Sequence, residues 1–225
     1  MNNNCKVCVL KSKAASKLSE VQIEKLSSNC ASVKFIKGDS IIKQGTFSTN
    51  VAYLRSGLAK IHIAGPYHEQ IVRIVKAPTY LGLPTTFGDK INQYSVTVID
   101  EAEVCFIDIT AFRDLLNSNS DFSYEILLEL CRNELEAFYR CANRTQKQSR
   151  GKIADVLLEF SDKIYSSGSF SFPLTQEDIG NLVDASRESI SRILTEFEKD
   201  GIIKVTGKKV EILNKKSLLM ISANG

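Results

Sequence analysis

Histidine is scarce in this chain, with only His62 and His68 among 225 residues. A cupin-type barrel enzyme gathers about three histidines and a carboxylate on one metal, so that chemistry lacks its donors. No stretch approaches the ~20 apolar residues of a membrane span. The N-terminal MNNNCKVCVLKSK has no apolar run of secretory type. Patterns of the G-x-S-x-G, H-E-x-x-H or P-loop kind do not occur, and no enzymatic activity is expected. Neither sign of charge dominates: the formal net charge is +3 and the pI about 8.4. Any basic surface must therefore come from arrangement, not bulk. The six cysteines are unevenly spaced and follow no export signal, which reads as thiols in a reducing compartment and implies a cytoplasmic protein.

What is present is a chain of ordinary globular composition, 43% hydrophobic and 24% charged. Residues 33–110 carry short β-branched and aromatic runs, among them SVKFIKGDSIIKQG, VAYLRSGLAKIHIA and AEVCFIDI. Glycine and proline punctuate them at near-regular spacing, the pattern of an antiparallel barrel or jelly roll. Before them LSEVQIEKL reads as a helix capped by Ser19. From about Asp121 glycine and proline disappear, and apolar residues recur at helical spacing for about 27 positions, a helix of roughly 40 Å. Two stripes run along it: Tyr124, Leu128, Cys131, Leu135, Phe138 and Ala142, and beside them Leu127, Leu130, Glu134, Ala137 and Cys141. Two stripes suggest two partners, the β domain and a second subunit; one wide core face is the alternative.

A further amphipathic helix covers 151–164. The segment FPLTQEDIGNLVDASRESISRILTEFEKDGIIKVTGKKVEIL then splits into helices over 175–183 and 187–199, joined by Asp184-Ala185-Ser186, and a hairpin around Thr206-Gly207-Lys208. Thr175 with Asp178 forms an acidic capping box, and Ser186 caps the second helix. Ile179, Leu182, Ile190, Ile193, Leu194 and Phe197 fall on inward faces. Two short helices, a three-residue turn and a β-wing describe a winged helix-turn-helix, whose second helix enters the major groove N-terminus first. Arg187, Glu188 and Arg192 then face the bases: arginine offers a fork to guanine O6 and N7, and a carboxylate accepts from cytosine N4. Ser186, Ser189 and Ser191 are small enough to let the helix sit deep. Thr175, Gln176, Lys208 and Lys209, with Ser186 and Ser189, are the expected phosphate contacts. An i,i+4 salt bridge between Glu188 and Arg192 on a solvated face is the competing explanation.

At these residues the chain resembles the Crp/Fnr family of bacterial transcriptional regulators. The carrying segments are KGDSIIKQG and YLRSGLAKI, then GKIADVLLEF and LTQEDIGNLVDASRESISRIL. The resemblance implies an α+β protein: a jelly-roll-like, cyclic-nucleotide-binding-type β-roll sensor over 1–120, a dimerisation helix and hinge over 121–147, and a winged helix over 148–225. It implies a homodimer on an inverted repeat of double-stranded DNA, with RNA polymerase a partner if the protein activates. Arg187, Glu188 and Arg192 match the base readers of the cyclic-AMP-receptor branch; Glu188, Ser191 and Arg192 match those of the Fnr branch. Asp184 stands where the family has a turn glycine.

The resemblance leaves the effector open. Tyr80 replaces the glutamate that holds the ribose in the cyclic-nucleotide branch, and Tyr94-Ser95 replaces the Arg-Ser pair that holds the phosphate. These three mark a possible effector pocket, but a cyclic phosphate buried without its arginine is costly, so cyclic AMP is not expected. The Fnr branch holds an iron–sulfur cluster on four cysteines. Cys5, Cys8 and Cys105 match three of them; the fourth position is Ala14, and Cys30 is expected to lie out of reach beyond the first helix. No complete metal site follows. Ordinary thiols, a redox dithiol and a metal half-site remain open. Haem on His62 or His68 is not expected, since two histidines flanking a surface turn have a simpler reading. A constitutive DNA-binding protein with a non-sensing roll is the remaining alternative.

Overall fold

The structure, a computed structural model, describes residues 5, 6 and 8–225. The chain forms two compact units, 1–135 and 136–225. In the first, a helix α1 (Glu20–Ser28) precedes strands β1 (Cys30–Phe35), β2 (Ser40–Ile42), β3 (Asn50–Ser56), β4 (Leu58–Ala64), β5 (Glu69–Lys76) and β6 (Thr79–Leu81). A short helix α2 (Leu83–Gly88) leads to β7 (Ser95–Val98) and β8 (Ala102–Asp108), followed by α3 (Ile109–Ser118) and the long α4 (Ser120–Gln146). Two antiparallel four-stranded sheets result, ordered β1-β8-β3-β6 and β2-β7-β4-β5. This is the β-roll, starting three residues earlier than the strand pattern suggested and interrupted by α2, whose first turn holds Pro84. Ser19 closes α1 with a reciprocal capping box to Gln22.

Strand parity divides the core in two. On β3, Ala52 and Leu54 turn between the sheets, where they meet Ile61, Val75, Leu81, Val96 and Val104. Val51 and Tyr53 turn the other way, toward Ile107, Phe112, Phe122, Ile126 and the residues of the N-terminal segment, Ala14 and Leu18. The β3–β4 connection accepts only glycine at 57, where φ is +94° and a Cβ would lie 2.1 Å from the Glu101 carbonyl oxygen.

Helix α4 meets the roll through a face that shares only Leu130 with the two apolar stripes. Phe122 and Ile126 are buried, and Leu130 is partly so. Next to them the Glu129 carboxylate accepts from the Thr79 hydroxyl (3.0 Å) and the Tyr80 backbone N–H (2.9 Å), and Asn133 accepts from Arg73 (2.9 Å). The helix is thus pinned to the sheet by polar side chains, which an apolar periodicity does not register. Members of both stripes lie exposed instead: Tyr124, Leu127, Leu135 and Phe138, joined by Tyr139, are 54–72% accessible. A single wide core face is excluded.

The second unit adds α5 (Ser149–Glu159), a π-helical turn (Phe160–Tyr165), β9 (Ser169–Ser171), α6 (Gln176–Val183), α7 (Arg187–Lys199), β10 (Ile203–Thr206), β11 (Lys209–Ile212) and α8 (Lys215–Asn224). The helix expected over 151–164 therefore changes character at Phe160, whose ring packs at 4.6 Å on Phe172 and 6.2 Å on Phe170. The wing is a three-stranded sheet, β10-β11-β9, not a bare hairpin; three-residue β9 is too short to announce itself in sequence. Among the described residues no helix is long and apolar enough to cross a membrane.

Candidate nucleic-acid interface

Thr175 starts α6: its hydroxyl accepts from the Asp178 N–H (3.0 Å) while the Asp178 carboxylate accepts from the Thr175 N–H (3.0 Å). The helix stops at Asp184, which adopts the left-handed conformation (φ 59°, ψ 60°) that aspartate tolerates better than most residues. Two residues later Ser186 accepts from the Ser189 N–H (3.2 Å) and opens α7. The two helices come close enough that a Cβ on Gly180 would sit 2.6 Å from the Ala185 carbonyl oxygen. Ile179, Leu182, Val183, Ile190, Ile193 and Phe197 are buried; Leu194 is only half-buried. With those faces inward, the outward side of α7 is fixed.

On that side Arg187, Glu188, Ser191 and Arg192 line one open concavity, which Gln176 of α6 completes. Arg192 pairs not with Glu188 but with Glu196, at 2.7 Å. Glu196 also receives Arg150 (2.9 Å), whose guanidinium reaches Asp200 (2.7 Å) and lies 4.9 Å over the Phe197 ring. The backbone N–H of Glu188 itself, then the Ser186 hydroxyl, hold the Glu188 carboxyl below the usual carboxylate range. It stays ionised and open as an acceptor. The hydroxyls of Thr175, Ser186 and Ser189 are engaged in the caps, so a phosphate at these positions meets a helix N-terminus more than a free hydroxyl. Lys208 and Lys209 project from the wing turn, both exposed.

The expected effector residues do not converge. Tyr80 turns away from the space between the sheets and packs tilted against Tyr53 (4.8 Å) and edge-to-face against Phe112 (5.6 Å), its hydroxyl 2.8 Å from that of Ser12. Tyr94 instead packs on the inter-sheet cluster, its hydroxyl accepting from the Gly82 N–H (3.2 Å), and Ser95 accepts from the Gln44 N–H (3.0 Å). Pleat parity is the reason: in the β6 stretch Leu81 faces inward, so Tyr80 faces out. His62 has Glu69 on Nδ1 and Thr97 on Nε2, both at 2.8 Å, which leaves neither ring nitrogen open for haem iron.

Cys30 is not out of reach. It shares side-chain hydrogen bonds with both Cys5 and Cys105, while Ala14 at the vacant family position is buried in the adjoining core. Sequence order hid this, because antiparallel pairing of β1 with β8 sets Cys30 diagonal to Cys105, and the N-terminal segment returns Cys5 to Ser27, three residues before Cys30. Even so, among the described residues no three cysteine, histidine, aspartate or glutamate side chains are gathered as a metal ion requires. As arranged, the residues do not fit a four-thiolate cluster.

The fold and the concavity define a DNA-binding regulator with a β-roll. A family model for the "Crp-like helix-turn-helix domain" matches residues 151–221, and one for the "Cyclic nucleotide-binding domain" matches 32–119. The "Fumarate and nitrate reduction regulatory protein" of Vibrio cholerae is 27% identical over 83% of this chain and 76% of its own. The "CRP-like cAMP-activated global transcriptional regulator" of Mycobacterium tuberculosis is 26% identical over 87% of this chain and 90% of its own. The structure of a putative Crp/Fnr-family transcriptional regulator from Eubacterium rectale superimposes with a TM-score of 0.79 at 17% identity, covering 95% of this chain and 99% of that one. The chain belongs to the Crp/Fnr family of transcriptional regulators.

Proposed function

We propose that the protein works in the cytoplasm as a homodimer that sets its two α7 helices into successive major grooves of an inverted repeat, about 34–36 Å apart. The observation that carries this reading is the concavity of Arg187, Glu188, Ser191, Arg192 and Gln176 on a helix whose start and orientation are fixed by Ser186 and by the packing of Gly180. Arg187, Glu188, Ser191 and Arg192 read base edges. Gln176, Lys208 and Lys209 hold phosphates, as do the helix starts at Thr175, Ser186 and Ser189. The exposed apolar side of α4 supports the dimer contact, because so much aromatic and leucine surface on one helix is costly in water.

The labour divides into a roll over 1–120, a dimerisation helix and hinge over 121–147, and a DNA-reading domain over 148–225. At the hinge Arg144 donates to the Leu182 carbonyl (3.2 Å), just before the turn of the helix-turn-helix, so movement of the helix end is felt at the reading head. Cyclic AMP is not the effector: Tyr80 and Tyr94 belong to separate cores and supply no cation for a phosphate. RNA polymerase is a partner where the protein activates. Binding-site selection from random DNA tests the proposal. The expected product is a palindrome with G·C pairs in each half-site; enrichment of unpaired half-sites or of no sequence overturns it.

A further inference from the structure

The C-terminal end of α6 is the point at which the first helix of the pair passes its direction to α7. The Gly180 carbonyl accepts from both the Asp184 N–H and the Ala185 N–H (3.1 Å), and a Cβ at Gly180 would meet the Ala185 carbonyl at 2.6 Å. That turn has no slack, so a shift at the end of α6 moves the start of α7. The end is poorly provided for by its own sequence. The last carbonyls of a helix lack donors within it and carry its negative pole, yet α6 has no basic residue in its last turn. Asp184 follows with a carboxylate, the wrong charge for that pole, and holds a left-handed φ of 59°.

The missing cation comes from α4, where Arg144 donates through Nη2 to the Leu182 carbonyl (3.2 Å). Burial lowers the Arg144 pKa and the Asp184 charge opposes it; a guanidinium stays charged throughout the working pH range, so the capping charge is permanent. Its neighbours fix its place. Arg140, four residues before, holds Glu159 of α5 through both Nη atoms (3.2 and 2.6 Å). Lys147, three residues after, holds both oxygens of Asp155 (2.8 and 2.7 Å), which also accepts from the Ser222 hydroxyl of α8 (2.5 Å). Helix positions at −4 and +3 share a face with the one between. Arg144 therefore projects from a segment tied down on both sides.

We propose that Arg144 is a positioning residue for base reading: it caps α6 from outside, offsets the Asp184 carboxylate and so sets the angle at which α7 is presented to DNA. This role rests on the base-reading assignment of α7 and adds a residue outside the concavity. With Arg144 gone, the Leu182 carbonyl loses its donor and Asp184 stands uncompensated at the negative end of α6. The hydrogen bonds of the turn then open more often, and α7 samples orientations in which Arg187, Glu188 and Arg192 miss their base edges. Phosphate contacts need charge more than angle. The loss therefore falls on the selected sequence and not on DNA in general.

The test uses the full-length protein and two readouts, one of them free of DNA. Amide hydrogen exchange without DNA should run about tenfold faster at Asp184 and Ala185 in Arg144→Ala, with the amides of β3 in the roll unchanged. Titration of the selected palindrome should show affinity down about tenfold, while affinity for unrelated duplex stays within about twofold. Arg144→Lys keeps the cation and recovers most of both. In an Asp184→Gly background, where glycine takes the left-handed turn freely and brings no charge, Arg144→Ala should cost about threefold less. Equal losses in the two backgrounds, equal losses on all sequences, or unchanged exchange overturns the role of Arg144. A wild-type protein without sequence preference overturns the base-reading assignment and this role with it; a preference that survives Arg144→Ala overturns this role alone.

Discussion

Arg192 illustrates how a surface ion pair is compatible with the base-reading role proposed for it. Its bond to Glu196 joins two groups that are 66% and 35% exposed, and an i,i+4 pair of that kind contributes only about 0.3–0.5 kcal/mol. A bidentate contact to guanine discriminates by about 1–3 kcal/mol, so the arginine gives up Glu196 for a base at little cost. Glu196 keeps Arg150. Arg192→Ala is therefore expected to cost about 1–3 kcal/mol at one G·C pair and little on non-specific DNA, read by titrating matched and single-substituted sites. Lys208→Ala should weaken every sequence alike and reduce the slope of log affinity against log salt by about 0.9, the signature of one lost phosphate contact.

At the scale of elements, the helix-turn-helix was legible because its signals are local. Thr175, Asp178 and Ser186 fix helix starts within three residues of themselves, and Asp184 marks the turn. The roll was legible as strands but not as faces. Which side Tyr80 takes, and that Cys30 meets Cys105, depend on pleat parity and on pairing between strands about 75 positions apart, which no local pattern encodes. The α4 face was only partly legible for a different reason: Leu130 of one stripe packs on the roll, but Phe122, Ile126, Glu129 and Asn133, which complete the contact, lie outside both stripes. Gly180 received no role from sequence and has a demanding one. Gly180→Ala places a methyl group 2.6 Å from a backbone oxygen, and the α6–α7 pair must separate to admit it. The expected cost is about 1–3 kcal/mol, measured as a lower melting temperature for the DNA-binding unit, with weaker DNA binding following from the misplaced α7.

For the whole molecule, the proposed dimer places the subunit contact on the exposed side of α4, and that contact would join the two DNA-reading units. Leu135→Asp with Phe138→Asp puts charge on a surface now 57% and 62% accessible as apolar side chains, and costs the monomer little. Sedimentation equilibrium should show a shift from dimer to monomer. Affinity for a palindrome should fall to near that for a single half-site, because the second contact is no longer tethered to the first. A variant that stays dimeric would move the subunit contact elsewhere.

The Glu129 carboxylate also sets a limit on signalling within the roll. It is the polar tie between β6 and the long helix, with one hydroxyl and one backbone N–H donating to it. Hydrogen bonds to a charged group contribute about 1.5–3 kcal/mol each. An effector that displaces β6 must spend that much of its binding energy freeing the helix, while one that leaves β6 in place gains no leverage over it. Glu129→Gln keeps the geometry but removes the charge. In the effector-modulated reading proposed above, such a variant lowers the binding energy an effector needs to free the long helix from β6.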